Sequence, residues 1–175
     1  MIEIIKNSFK KLILNFIFKS ELKNRPKKKY NKFSNNSSSI AVIVDSNINI
    51  SPENFDFLTN IFSTPENNIR FLWYQSPIFY DRSNHMRIYN TDLSFSGVIN
   101  KDFNVFFKKK YDLLINVYKK DNIFLKMLSL NVKHGFSIGF TPIDLGLNDI
   151  IFDFDPEDIN VFSEELTKYL KIISK

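Results

Sequence analysis

The sequence contains no cysteine. Disulfides, thiolate zinc sites and a cysteine nucleophile are therefore excluded, and the composition fits a reducing compartment. His85 and His134 are the only imidazoles, which removes a histidine-rich metal centre and leaves carboxylates as the remaining metal ligands. Glycine is scarce, with four in 175 residues, and no GxGxxG, Walker-type GxxxxGKS/T or GxSxG pattern occurs. That disfavours a dinucleotide or P-loop enzyme and gives no nucleophile elbow. Long apolar runs are missing too. The stretch from Leu12 to Phe18 is interrupted by Asn15 and is far too short to span a bilayer. No small-residue cleavage site follows Phe18, so a signal peptide is not expected.

Alanine occurs once, as Ala41, whereas there are 21 Asn. Lys, Asn, Ile and Phe share A+T-rich codons, so lysine abundance alone says little about partners. Its distribution says more. Residues 1–39 hold ten Lys+Arg against two acids, Glu3 and Glu21, and residues 40–175 hold 14 against 17. A basic arm thus precedes a mildly acidic body. The 19 Phe supply ample material for the core of one domain.

The spacing predicts a basic amphipathic helix over residues 2–22. Ile2, Ile5, Phe9, Leu12, Ile13 and Phe16 share one face; Lys6, Lys10, Lys11 and Lys19 lie off it, and Ile4, Leu14 and Phe18 point elsewhere. Residues 23–39 read as a mobile linker, rich in Lys and then in Ser and Asn. The body spans 40–175. Ile40–Val44 is a continuous apolar run of strand length ending at Asp45, as a strand buried on both faces reads. Ser51-Pro52 starts a helix carrying Phe55, Leu58, Ile61 and Phe62, and Ile69–Tyr74 is the next strand. Residues 75–100 are irregular, with Leu93–Gly97 a short strand or a loop. Lys101–Lys109 has a helical pattern. Leu113–Val117 is a strand, Asp121 or Asn122 caps a helix, Gly135–Phe140 and Ile150–Phe154 are strands, and a helix follows from about Pro156. Alternating strands and helices predict an α/β domain, Rossmann-like or flavodoxin-like, with three layers and about five mainly parallel strands. Ile40–Val44 and Leu113–Val117, the most continuously apolar, should be central.

In open α/β sheets ligands bind beyond the carboxyl ends of the strands. The polar residues expected there are Asp45 and Asn47, Asn116 and Tyr118, Asp144 and Asn148. They form either a ligand rim or merely polar loop starts. No base–nucleophile pair stands out, so no catalytic residue is assigned. Asp153, Asp155, Glu157 and Asp158 precede the last helix, where carboxylates favour the helix dipole by about 0.3–1 kcal/mol each. No metal and no cofactor are expected. His85 reads as exposed in a polar loop, and His134 as a turn residue. In the arm, Lys10, Lys11, Lys23, Arg25, Lys27, Lys28, Lys29 and Lys32 are candidates for contact with an anionic membrane or nucleic acid, against the plain reading of a solvated linker.

Phe18-Lys19-Ser20 with its basic linker, Ile40–Asp45, Tyr111–Asn116, Ser137–Phe140, Leu147–Asp149 and Glu165–Ile172 together resemble an uncharacterised family of small flavobacterial proteins. That resemblance spans nearly the whole chain and implies a shared fold but no activity. A shorter one, of about 30 residues, joins Tyr111–Asn116, Leu125–Leu130 and Ser137–Phe140. It looks like the amino-terminal half of heptosyltransferase-type glycosyltransferases, in which a "yDlvId" strand leads to a helix ending "lLsl" and a strand ending "iGf". Those enzymes have two Rossmann-like halves, and the second binds the sugar nucleotide; a single half implies a relic or a binding derivative. The leading expectation is a cytoplasmic, non-enzymatic binding or adaptor protein, with a small-molecule ligand at the strand ends left open. The alternatives are a transferase-like enzyme for a sugar or nucleotide, or half of one. A further alternative is a protein that meets the inner membrane face, nucleic acid or a protein partner through residues 1–33.

Overall fold

The computed structural model describes residues 2–25, 39–75, 84–141 and 146–173. Eleven regular elements organise them. They are α1 (Ile2–Asn24), β1 (Ile40–Asp45), α2 (Phe57–Phe62), β2 (Ile69–Tyr74), β3 (His85–Ile88), α3 (Asn104–Phe107), β4 (Lys110–Val117), α4 (Ile123–Asn131), β5 (Lys133–Phe140), β6 (Ile150–Phe152) and α5 (Ile159–Ile173). The six strands form one sheet in the order β3-β2-β1-β4-β5-β6, and every neighbouring pair is parallel. The order is the doubly wound one of Rossmann-like sheets. As the apolar runs indicate, β1 and β4 lie at the centre. Val42 sits opposite both Phe71 and Ile115, and all six residues of β1 are buried.

Local chemistry sets the element ends. Asn54 Oδ1 accepts from the Ser51 backbone N–H at 2.8 Å, closing the turn Pro52–Phe55 that leads into α2. Ser63 ends α2 in the left-handed region at φ 49°. Asn122 caps α4, its Oδ1 accepting from Phe124 N–H at 3.0 Å. The 101–109 stretch forms a 3-10 turn, Lys101–Phe103, and the short α3. Leu93 makes an isolated antiparallel bridge to Ile99 in an otherwise irregular loop.

The helices cover both faces of the sheet. On one, α2 and α5 meet through Phe57 and Phe162, whose ring centroids lie 5.3 Å apart, and Phe162 also packs edge-on against Phe140 of β5. On the other, α4 lies against the centre of the sheet and α1 packs beside it. Leu14 and Phe18, which the periodicity places off the six-residue apolar face, are the residues through which α1 enters the core. Ile5, Phe9, Leu12 and Phe16 are exposed. Burial of two such side chains contributes roughly 1.5–3 kcal/mol each. Gly97 makes the close approach workable: at φ 77°, a Cβ there would lie 2.4 Å from Met127 Cε and 3.7 Å from Leu14 Cδ2. Lys10 adds a polar anchor, donating to the carbonyl oxygens of Asn90 and Leu93.

Both histidine expectations are corrected. His85 is buried in β3, an element absent from the sequence reading, and its Nδ1 accepts from Trp73 Nε1 at 3.0 Å. Its ring stacks on Phe71, its register partner, at 4.5 Å. His134 belongs to β5; its Nε2 lies 3.1 Å from Arg25 Nη2 and its Nδ1 2.8 Å from the Val132 carbonyl. A neutral ring protonated at Nδ1 satisfies both contacts.

Candidate functional site

The chain runs β1, β2, β3 outward in one direction, then returns past β1 to place β4, β5 and β6 on the other side. Loops leaving β1 and β4 therefore diverge, and a crevice opens at their carboxyl ends. A cavity of about 400 Å³ lies there. The body supplies Asp45 and Asn47 at the end of β1, Tyr74 and Gln75 at the end of β2, and Lys120, Asp121 and Asn122 before α4. Helix α1 closes one side with Asn7, Lys11 and Asn15.

Each body residue is held by its neighbours. Asp45 is buried, and its Oδ1 accepts from the Asn47 backbone N–H at 3.0 Å and from Asn47 Nδ2 at 2.7 Å. Ser46 ties the ends of β1 and β2 together, its Oγ donating to the Tyr74 carbonyl at 2.7 Å. Burial pushes the Tyr74 phenol up to about 12, with a hydrogen bond to Asn122 opposing the shift and the Asp45 charge adding to it. The phenol is therefore a neutral hydroxyl at ordinary pH. Gln75 has φ 56°, a left-handed conformation that costs a non-glycine residue of order 1 kcal/mol, and its N–H donates to the Ile88 carbonyl at 2.8 Å. The strain sits on the cavity wall.

The lining is rich in amides and close to charge balance, with Lys11 and Lys120 against Asp45 and Asp121. Its described residues include no Ser, Thr, Cys or His. Amide groups, a neutral phenol and a carboxylate supply donors and acceptors for hydroxyl or amide groups of a ligand. Glycine is absent from the β1 loop, so its backbone cannot wrap a pyrophosphate as glycine-rich loops do.

Of the residues expected at the strand ends, Asp45 and Asn47 reach this cavity. Asn116, Tyr118 and Asn148 do not; they form a buried polar network under α4. Asn116 Nδ2 donates to Asn148 Oδ1 at 2.7 Å, and Asn116 Oδ1 lies 2.7 Å from Ser129 Oγ. Ser129 Oγ also faces the Leu125 carbonyl at 2.9 Å and the Tyr118 hydroxyl at 3.1 Å. The physical reason is side-chain alternation in β4, which turns Asn116 toward α4. Asp144 lies outside the described residues, as do Lys27, Lys28, Lys29 and Lys32. Sequence reasoning missed Tyr74 and Gln75, although the strand-end rule that found Asp45 applies equally to β2. Asn7 and Asn15 enter the site only through the docking of α1, which no local pattern announces.

The arm residues divide. Lys10 and Arg25, expected at an anionic surface, turn to the body instead: Lys10 to the 90–93 loop, Arg25 to His134 and the Leu147 carbonyl. Partial burial lowers both their pKa values. Lys11 and Lys23 stay exposed. The acidic residues before α5 find a cation of the chain itself, Lys119, whose Nζ lies 2.7 Å from Asp155 and 3.0 Å from Glu157. No group of three His, Asp or Glu side chains among the described residues is placed to hold a metal ion.

A family model matches residues 10–173, covering most of α1 and the whole sheet. The chain belongs to DUF6913, a family of unknown function. The DUF6913 match takes in Leu14 and Phe18, so the docked part of α1 lies within the family's own span. No curated protein and no solved structure matches the chain.

Proposed function

We propose that this DUF6913 chain is a non-enzymatic binding protein that holds a small, hydroxyl- or amide-bearing ligand in the crevice between the carboxyl ends of β1 and β4. The observation that carries the reading is the cavity at the point where strand order reverses, with Asp45, Asn47 and Gln75 on its wall. Sugars and nucleosides offer the matching hydroxyl and amide groups. A transferase-like reading would call for Asp45, Asn116 and Asp144 side by side; Asn116 is instead bonded within the core.

Thermal-shift screening of the full chain against sugars, nucleosides, nucleotides and sugar nucleotides tests this. A ligand at a hundred times its Kd stabilises by about 2.7 kcal/mol, or roughly 5–10 °C for a domain of this size. The expected result is such a shift from one chemical class, reduced in Asn47→Ala and Gln75→Ala. No shift from any class, or a shift unchanged in both variants, would overturn the proposal.

A further inference from the structure

Helix α1 carries three faces. Leu14 and Phe18 enter the core, and Asn7, Lys11 and Asn15 border the cavity. The third face points away from the protein. Ile5, Phe9, Leu12 and Phe16 follow one another at intervals of three and four residues along it and are 59–77% exposed. Ile4 is exposed beside them, and the Phe95 ring, 6.5 Å from Phe9, extends the apolar surface onto the body. Single exposed apolar residues are ordinary in a folded protein; a contiguous stripe over three helical turns marks an interaction surface. Docking through Leu14, Phe18 and Lys10 prevents the helix from rolling this stripe inward.

Charge identifies what covers it. Lys6, Lys19 and Lys23 are exposed around the same helix and outside the cavity, in a segment with ten bases and two acids over residues 1–39. A second copy packed stripe to stripe would bring these lysines together in repulsion. Nucleic acid would satisfy the lysines and leave the Ile, Leu and Phe side chains uncovered. Hydrocarbon beneath a layer of phosphate headgroups matches both features. Among the described residues no helix is long and apolar enough to cross a membrane. We propose that the outer face of α1 rests the protein on an anionic lipid surface, with Ile5, Phe9, Leu12 and Phe16 at the acyl boundary and Lys6, Lys19 and Lys23 against lipid phosphates. Because α1 is already folded on the body, binding needs no coil-to-helix transition.

The test is flotation of the full chain with vesicles of phosphatidylcholine alone and of phosphatidylcholine mixed with phosphatidylglycerol. Binding to the mixed vesicles is expected, with little to the neutral ones and a clear loss at high salt. The double variant Phe9→Gln, Phe16→Gln should bind at least about tenfold more weakly, a loss of 1.4 kcal/mol or more. Its melting temperature should stay unchanged, since both side chains are exposed. Helical circular dichroism of the wild type should not rise on binding. Equal flotation with neutral and anionic vesicles, a double variant that binds like wild type, or a gain of helix on binding would overturn the proposal. So would absence of flotation accompanied by a dimer that the double variant dissociates.

Discussion

Leu12 and Leu14 stand two residues apart on α1, a rotation of about 200° around the helix, and their alanine variants should behave very differently. Leu14 is 0% exposed within the core; Leu12 is 68% exposed. Leu14→Ala removes buried methyl groups and leaves a hole beside Gly97. Such substitutions cost about 2–5 kcal/mol. At roughly 2–4 °C per kcal/mol for a chain of this length, Tm should fall by about 4–20 °C. Leu12→Ala should stay within about 0.5 kcal/mol of wild type, because no packing is lost and alanine is an excellent helix former. Urea denaturation followed by circular dichroism measures both, with the m-value checking that α1 unfolds together with the body. Equal losses from the two variants, or a larger loss from Leu12→Ala, would mean that the helix docks by its other face and would refute the orientation described above.

The remaining expectations are briefer. Ser129→Ala should cost about 1–3 kcal/mol in urea denaturation, because the substitution removes the hydroxyl that donates to the buried Asn116 Oδ1. Ser63→Gly should raise stability by up to about 1 kcal/mol, since φ 49° at the end of α2 suits glycine better than serine. Burial pushes both Tyr74 and Tyr111 up to about 12. In the unfolded chain these phenols lose their protons near pH 10, so above that pH the folded state binds more protons and stability falls as pH rises toward 12. Tyr111→Phe should flatten this alkaline loss in pH-dependent melting; a slope as steep as that of wild type would contradict the assignment.

Continuous apolar runs made β1 and β4 legible from the residues, because a central parallel strand is covered on both faces and needs no alternation. Strand β3 was not legible. His85-Met86-Arg87-Ile88 is short and mixed, and its place depends on the aromatic stack that His85 completes with Phe71 and Trp73 of β2. The docking of α1 through Leu14 and Phe18 was not legible for a related reason. Apolar residues occur nearly all round that helix, so periodicity identified a helix but not the side that the body selects. Asp45 and Asn47 were readable because they follow a clear strand end. Asn116 was ambiguous because β4 ends one residue later, at Val117, and only the presence of Ser129 on α4 decides where its amide is used. The residues that suggested heptosyltransferase-type enzymes fall on β4, α4 and β5; those that are buried, among them Tyr111, Leu113, Leu128 and Ile138, are ones that any strand-helix-strand unit requires, and no curated protein or solved structure matches the chain.

The crevice between β1 and β4 is tested most directly by amide chemical-shift mapping of the full chain, titrated with the best stabilising compound from the thermal screen. The account predicts that the perturbed amides cluster at Asp45–Asn47, Tyr74–Gln75 and Lys120–Phe124, with Asn7, Lys11 and Asn15 of α1 responding as well. Perturbations centred instead on the separate hollow lined by Ile17, Phe103 and Met127 would contradict it.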